Sequence, residues 1–393
     1  MLLTNKQEEA LKIAVSRYKD RMPWTCIAGY AGSGKTTLIK FIIAALDLDP
    51  EDVAYVTYTG KAASVLRQKG CPNAVTAHKL LYNTKLMSNG QYFHTPKNKL
   101  DHEFKLIVVD EVSMLPKTLW ELLLKHKIHI LACGDPFQIP PIYQEEDNKV
   151  LDNPHIFLDE IVRQAKESDI IRISMDIREG KILKPYLGED ARIYSSAEVN
   201  SSMYLWADEI IVGTNKLRQE INNGIRSMLN YDKFPQEGDK IICLKNSWNY
   251  VSEFGEEALV NGTIGYLQDA NPLKKIYRMG GINSKEIEFL LVDIETDNDN
   301  FISIPVDLTA LTTGKKSFTS QEEFYIYKDK RNSFPPPIEF NYGYAITCHR
   351  AQGSQWDKVL VQEERFPFDK EEHARWLYTA VTRAAQKLVL ILK

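Results

Sequence analysis

Residues Gly29-Tyr30-Ala31-Gly32-Ser33-Gly34-Lys35-Thr36 constrain this chain more than any other stretch. They fit the pattern of glycine, four residues, then Gly-Lys-Ser/Thr. Trp24 to Ala28 reads as a buried strand, and Thr37 to Ile43 as a helix. In that context backbone N–H groups can close around phosphate oxygens, helped by the positive end of the helix. Gly29, Ala31, Gly32, Ser33, Gly34 and Thr37 then belong to the cradle. Lys35 reaches the outer phosphates of a nucleoside triphosphate, and the Thr36 hydroxyl is placed to hold Mg²⁺.

The rest of the composition sets limits. A chain of 393 residues is long enough for two to four domains. With 44% hydrophobic and 26% charged residues it reads as a globular protein with an ordinary core. The formal charge of −4 means that any polyanion partner must meet local basic residues rather than a global field. Cys26, Cys71, Cys133, Cys243 and Cys348 form no C-x-x-C pair and are odd in number, which fits a reduced compartment. No signal-peptide core and no apolar run of about 20 residues is seen, so a cytoplasmic protein without a membrane span is expected.

Strands alternate with helices through the first 150 residues. Asp52 to Tyr58, Lys105 to Val109 and Ile128 to Cys133 read as buried strands, and Gly60 to Leu66 and Lys117 to His126 as helices. This predicts an α/β layer with a parallel sheet, in which ligands bind beyond the carboxyl ends of the strands. The Gly29 loop, Asp110-Glu111 and Gly134 to Gln138 all fall at such ends. Residues 85–100 break the rhythm around Ser88-Asn89-Gly90, a short hairpin signal. Glu237 to Val292 reads as strands between turns, a small β module inserted into a second α/β region that resumes at Tyr344.

Asp110 at a strand end is placed to contact Mg²⁺, and Glu111 to polarise an attacking water. Gln138 has two readings that stay level: an amide that reports the γ-phosphate, or a turn residue between prolines.

Taken together, the blocks resemble superfamily 1 helicases, closest to the Dda-like phage enzymes and their RecD relatives. The resemblance rests on Leu3 to Gln7, Gly29 to Thr37, Thr57 to Leu66, Thr76 to Leu81, Val108 to Leu115, Gly134 to Pro141, Ile161 to Gln164, Tyr344 to Ser354 and Tyr378 to Ala384. It spans nearly the whole chain.

That resemblance implies two RecA-like parallel-sheet motor domains. The first would hold residues 1–84 and 101–150, with a hairpin pin at 85–100. The second would hold 151–236 and 338–393, with an SH3-like β-barrel insertion at 237–337. It implies that Gln7 reads the adenine edge, that Arg163 and Arg383 face the γ-phosphate, that Gln352 and Gly353 contact the nucleotide, and that Tyr378 packs near it. Thr57, Thr59, Lys61, Thr76, His78, Thr347, His349 and Arg350 would meet DNA, from a strand end away from the nucleotide in the case of Thr57, Thr59 and Lys61. A capping or core role is the plainer reading of His78. Tyr92 or Phe93 would stack on the first base pair as it parts, or merely anchor the hairpin. Lys274, Lys275 and Arg278 would lie on a ribbon touching DNA or the pin, or form a solvated charge run.

The implied activity is ATP- and Mg²⁺-dependent 5′→3′ travel on single-stranded DNA with unwinding of forked duplex. A nucleotide-gated clamp that remodels protein–DNA complexes is the alternative, and a DNA-independent switch a third. The implied setting is a monomer in the cytoplasm of a phage-infected cell, beside single-strand-binding, recombination or replication proteins.

Overall fold

The apolar runs before the glycine-rich loop and before Asp110-Glu111 become strands of one sheet. A computed structural model describes residues 3–68, 70–87, 92–140, 147–162, 167–253, 258–279, 283–297, 299–332, 334–365 and 369–393, with the backbone alone at Gln68, Leu86 and Tyr92. The first sheet has six parallel strands in the order β3 (Ala74–Thr76), β2 (Val53–Thr57), β6 (Leu106–Val109), β7 (His129–Gly134), β1 (Trp24–Gly29) and β8 (Ile156–Leu158).

All four residues of β6 are buried, as a strand covered on both faces requires. Alternate residues feed two cores, because successive side chains point to opposite faces. Ile27, Val53, Val108 and Leu131 pack with Ala10, Ala14, Leu38 and Ile42 of the helices Asn5–Lys19 and Lys35–Ala45. Ala54, Ile107 and Ile130 pack with Leu119, Trp120 and Leu123 of the helix Lys117–Lys125. Adjacency of β2, β6, β7 and β1 brings Thr57, Asp110, Asp135 and the Gly29 loop to one edge.

The second sheet runs β19 (Ala345–Thr347), β11 (Glu209–Val212), β20 (Trp356–Gln362), β21 (Ala384–Leu392), β10 (Ala191–Ser195) and β9 (Tyr186–Leu187). Its β11, β20, β21 and β10 are parallel and β9 is antiparallel. The helix Lys370–Val381 precedes β21, where a helix over Trp376 to Ala385 was expected. Arg383 therefore sits between helix and strand.

Both sheets belong to one compact unit, Met1–Tyr82, Pro96–Asn215 and Ile346–Lys393; a second unit holds Asn83–Thr95 and Lys216–Ala345. This corrects the expected boundaries. The boundary at 150 falls too early, because β8 pairs with β1 through Ile27↔Ile156. Residues 216–236 and 338–345 go with the insertion. The hairpin is wider than 85–100 at its start: β4 (Tyr82–Leu86) and β5 (Tyr92–Pro96) form it, and its expected Ser88-Asn89-Gly90 turn lies outside the described residues.

In the second unit five strands run β17 (Asn300–Asp307), β16 (Ser284–Glu295), β15 (Ile264–Arg278), β12 (Lys240–Cys243) and β18 (Phe340–Tyr342). A separate pair joins β13 (Ser247–Val251) to β14 (Ala258–Leu259). The edge strand β17 also bridges to the segment just before β18, since Asp307 N–H donates to Ile338 O at 2.9 Å and Ile338 N–H to Pro305 O at 2.7 Å. Strand β15 borders β12 only over Ile264–Tyr266 but pairs with β16 out to Arg278↔Ser284. The excess length is the expected ribbon, carrying exposed Lys274 and Arg278, while Lys275 Nζ sits 4.3 Å over the Phe334 ring. Helices Leu308–Thr313 and Ser320–Lys328 add α structure inside what was read as an all-β module. Among the described residues no helix is long and apolar enough to cross a membrane.

A buried ion pair fixes this unit. Arg226 Nε donates to Asp239 Oδ1 at 2.8 Å and Nη2 to Oδ2 at 3.0 Å, while Tyr344 Oη and Gln236 N–H donate to the same carboxylate. Breaking such a pair strands a charge away from water, at about 3–5 kcal/mol. Arg226→Met should therefore lower unfolding stability by that order in denaturant titration, and Arg226→Met/Asp239→Leu should recover part of the loss.

Candidate active site

A cleft of about 520 Å³ opens along the carboxyl edge of the first sheet and is lined by both sheets' segments. Ala31, Gly32, Gly34, Lys35, Thr36 and Thr37 line it from the loop; Asp110, Glu111 and Gln138 from strand ends; Gly353 and Arg383 from the second sheet's connections. These residues were expected together, and the fold brings them together. Arg163 lies outside the described residues.

The loop is built as its sequence demands. Gly32 and Gly34 have φ of +77° and +78°, backbone that favours glycine. Lys35 Nζ donates to Gly29 O at 2.7 Å and Tyr30 O at 3.1 Å, so the ammonium lies across the loop mouth. Gln7 and Ser33 are buried beneath the loop rather than lining the cleft. Gln7 forms a capping box with Thr4, and its Nε2 donates to Ser33 O at 3.0 Å. A Cβ on Gly34 would come within 2.5 Å of Gln7 Nε2. Here the glutamine props up the loop.

Glu111 adopts φ 49° and ψ 51°, a costly backbone for a side-chain-bearing residue and one concentrated at functional sites. Its Oε1 lies 3.4 Å from Arg383 Nη1. Burial raises its carboxyl above the ordinary value; Arg383 and Lys35 oppose that, and Asp110 adds to it. Gly353, at φ +76°, packs so close that a Cβ would lie 3.3 Å from Glu111 Oε2. Arg383 is 4% exposed and also donates from Nε to Thr379 O at 3.1 Å.

Two oxygen donors fit a small hard cation. Asp110 Oδ1 accepts the Glu111 N–H at 3.0 Å, which orients the carboxylate, and Thr36 lines the same cleft. Mg²⁺ characteristically takes one or two protein oxygens and completes its shell with phosphate and water.

The second half is stitched to the loop Gly134 to Ile139. Tyr378 Oη donates to Asp135 Oδ2 at 2.6 Å and accepts the Ala31 N–H at 2.8 Å. Thr379 Oγ1 accepts Ile139 N–H at 2.9 Å, and Gln352 Nε2 donates to Ile139 O at 2.6 Å. Gln352 is thus buried support for that loop rather than cleft lining. Arg375, Thr379, Ser354 and Gln355 were not singled out from sequence. Arg375, Tyr378 and Thr379 stand at i, i+3 and i+4, one helical face, which is the signal that was available.

The residues expected on DNA divide. Thr57 and Thr59 line the cleft itself, because β2 ends beside β6; Thr57 Oγ1 donates to Thr59 O at 2.9 Å. The others are not part of its lining. Lys61 lies in the helix Gly60–Gln68, and Thr76 caps the helix Ala77–Leu81 by accepting Lys79 N–H at 3.2 Å. The His78 ring lies between Tyr58 and Tyr82, with centroids at 6.1 and 5.9 Å. Thr347 is buried at a helix start, His349 is half-buried with its pKa lowered by that burial, and Arg350 is exposed. In the hairpin Phe93 is 60% exposed, while the Tyr92 side chain is outside the description.

Comparison with known proteins bears on this geometry. A family model described as an AAA domain matches residues 2–196, and one described as a UvrD-like helicase C-terminal domain matches 342–391. The chain is 26% identical over 452 residues to the ATP-dependent DNA helicase dda of Enterobacteria phage T4, covering 97% of each. It is 25% identical over 391 residues to the ATP-dependent RecD2 DNA helicase of Deinococcus radiodurans, covering 92% of this chain and 46% of that protein. The crystal structure of Pif1 helicase from Candida albicans shares the fold, with TM-score 0.52 and 18% identity over 100% of this chain and 95% of that one.

The raised carboxyl of Glu111 has a kinetic consequence. As pH falls through that raised value the carboxylate gains a proton and ceases to polarise water. The acid limb of triphosphate turnover should therefore lie above the ordinary 4.5 of a glutamate. Glu111→Gln should cost roughly 10²-fold or more in kcat and flatten that limb. A pH–rate profile of both proteins checks it; an unchanged limb in the variant would assign the titration elsewhere.

Proposed function

Starting from a chain that belongs to the superfamily 1 helicases, in the group of Dda, RecD and Pif1, we propose that it uses ATP to travel 5′→3′ on single-stranded DNA and to unwind forked duplex. The observation that carries the reading is the single cleft in which Lys35, Asp110, Glu111, Gln138 and Arg383 meet. Direction and strand separation come from group membership; residue chemistry supplies the rest.

In this reading the loop N–H groups and Lys35 hold the phosphates of ATP. Thr36 and Asp110 are the residues to hold Mg²⁺, whose chemistry is neutralising charge on the transferring phosphoryl oxygens. Glu111 orients and polarises the attacking water. Arg383 sits 3.4 Å from Glu111 and, with ATP between them, turns to the γ-phosphate. An arginine so placed is worth about 10³–10⁵ in rate. Gln138, which lines the same cleft, takes the sensor role. ATP thereby becomes the bond between two sheets, and hydrolysis removes it.

DNA would be held by Thr76, His78, Thr347, His349 and Arg350, whose hydroxyl, imidazole and guanidinium groups suit phosphates and sugars rather than base edges. Exposed Phe93 is the hairpin's candidate for stacking on the parting pair. A phage-encoded protein acting in the host cytoplasm is the setting that accompanies this reading.

The test is ATP-driven unwinding of duplexes with a 5′ or a 3′ single-stranded tail. Unwinding from the 5′ tail alone is expected, abolished by Lys35→Ala. Translocation without strand separation on either substrate would favour the remodelling clamp, and ATP turnover indifferent to single-stranded DNA would contradict both.

A further inference from the structure

Gln138 has no rigid element of its own. It sits in the turn Asp135-Pro136-Phe137-Gln138, where its N–H reaches Asp135 O at a long 3.4 Å. A side chain that must report one phosphate oxygen needs a fixed backbone, since displacements near 1 Å can cost about 10²-fold in rate. The fixing comes from the helix Lys370–Val381. Arg375 Nη2 donates to Pro136 O and to Gln138 O, both at 3.0 Å. Arg375 Nε is buried without a hydrogen-bond partner of its own, so the bracket rests on Nη2. One helical turn on, Thr379 Oγ1 takes Ile139 N–H at 2.9 Å and itself donates to Arg375 O at 2.8 Å. The Phe137 ring meets the Tyr378 ring edge-on at 5.2 Å.

We propose that Arg375 is a positioning residue for Gln138: by bracketing the turn at two carbonyls it aims the Gln138 amide into the cleft and ties that aim to the helix that ends beside Arg383. Arg383 follows that helix by two residues, so the arginine at the cleft and the turn carrying the sensor move as one body. A shift of Arg383 on hydrolysis is therefore passed to Gln138. The chemistry needs a planar cation with two N–H groups on one nitrogen aimed at two carbonyls; a lysine ammonium is a point charge on a shorter reach. This inference rests on the helicase reading above and adds the residue that couples its sensor to the second sheet.

A kinetic double-mutant cycle tests it, with single-stranded-DNA-stimulated ATP turnover by the full chain as readout. Arg375→Met keeps most of the side chain's apolar length but leaves both carbonyls without their donor. It should lower kcat roughly 10- to 100-fold, with affinity for a fluorescent ATP analogue changed by less than about threefold, because the loop and Lys35 are untouched. Arg375→Lys should recover part of the loss. In the Gln138→Ala background Arg375→Met should do nothing further, since residues acting through one another are non-additive. Multiplying effects of Arg375→Met and Gln138→Ala, or a normal kcat in Arg375→Met, would overturn the proposal. So would a loss in which kcat and analogue affinity fall together with melting temperature in both Arg375 variants, which is the signature of a merely structural arginine. A wild-type chain with no DNA-stimulated turnover would instead overturn the helicase reading itself.

Discussion

Arg383 and Glu111 are 272 positions apart in the chain and 3.4 Å apart in the fold. Neither charge is comfortable alone. Arg383 is buried, and Glu111 is held at a left-handed backbone position beside Asp110, with burial pushing its carboxyl toward the neutral form. Arg383 opposes that push and favours the glutamate's ionised form. Their meeting joins the segments of the two sheets across the cleft. A substrate with its own negative charge, entering between them, competes for Arg383. The pair is thus a structural bond and, in the function proposed for this chain, the element a nucleotide would have to rearrange.

The same economy runs through the loop. Lys35 occupies the loop carbonyls, Tyr378 occupies Ala31 N–H, and Gln7 is committed to Thr4 and Ser33. Donors suited to phosphate are satisfied by protein acceptors that phosphate can displace, except for Gln7, which lies beneath the loop. Tyr378 joins loop, Asp135 and the second half through one hydroxyl, so a shift of the glycine-rich backbone is felt on the helix that precedes Arg383.

Much of this was legible in the sequence, for a physical reason. Residues that handle phosphate follow continuous apolar runs, and a buried parallel strand is such a run. Hence Gly29 to Thr36, Asp110-Glu111 and Gly134 to Gln138 could be placed at strand ends without coordinates. Strand order was not legible, and it decides that Thr57 and Thr59 sit beside Asp110 instead of on a separate DNA face. Short elements escaped as well. Ile156-Phe157-Leu158 and Phe340-Asn341-Tyr342 have three residues each and no periodicity to read, so both domain boundaries were misplaced. The helix Ser320–Lys328 did carry a signal, since Thr319 and Glu322 form a capping box. Arg375, Tyr378 and Thr379 show one helical face in sequence, but their partner loop lies about 240 residues earlier, as the separation of Ile139 from Thr379 records.

On the proposed function, Arg383 serves the triphosphate held by the opposite sheet's loop. The most direct measurement compares Arg383→Ala with wild type in two assays on one preparation: equilibrium binding of a fluorescent ATP analogue and steady-state ATP turnover with single-stranded DNA. Binding should be retained and turnover should fall by about 10³-fold or more. Turnover within a few-fold of wild type, with binding intact, would contradict it.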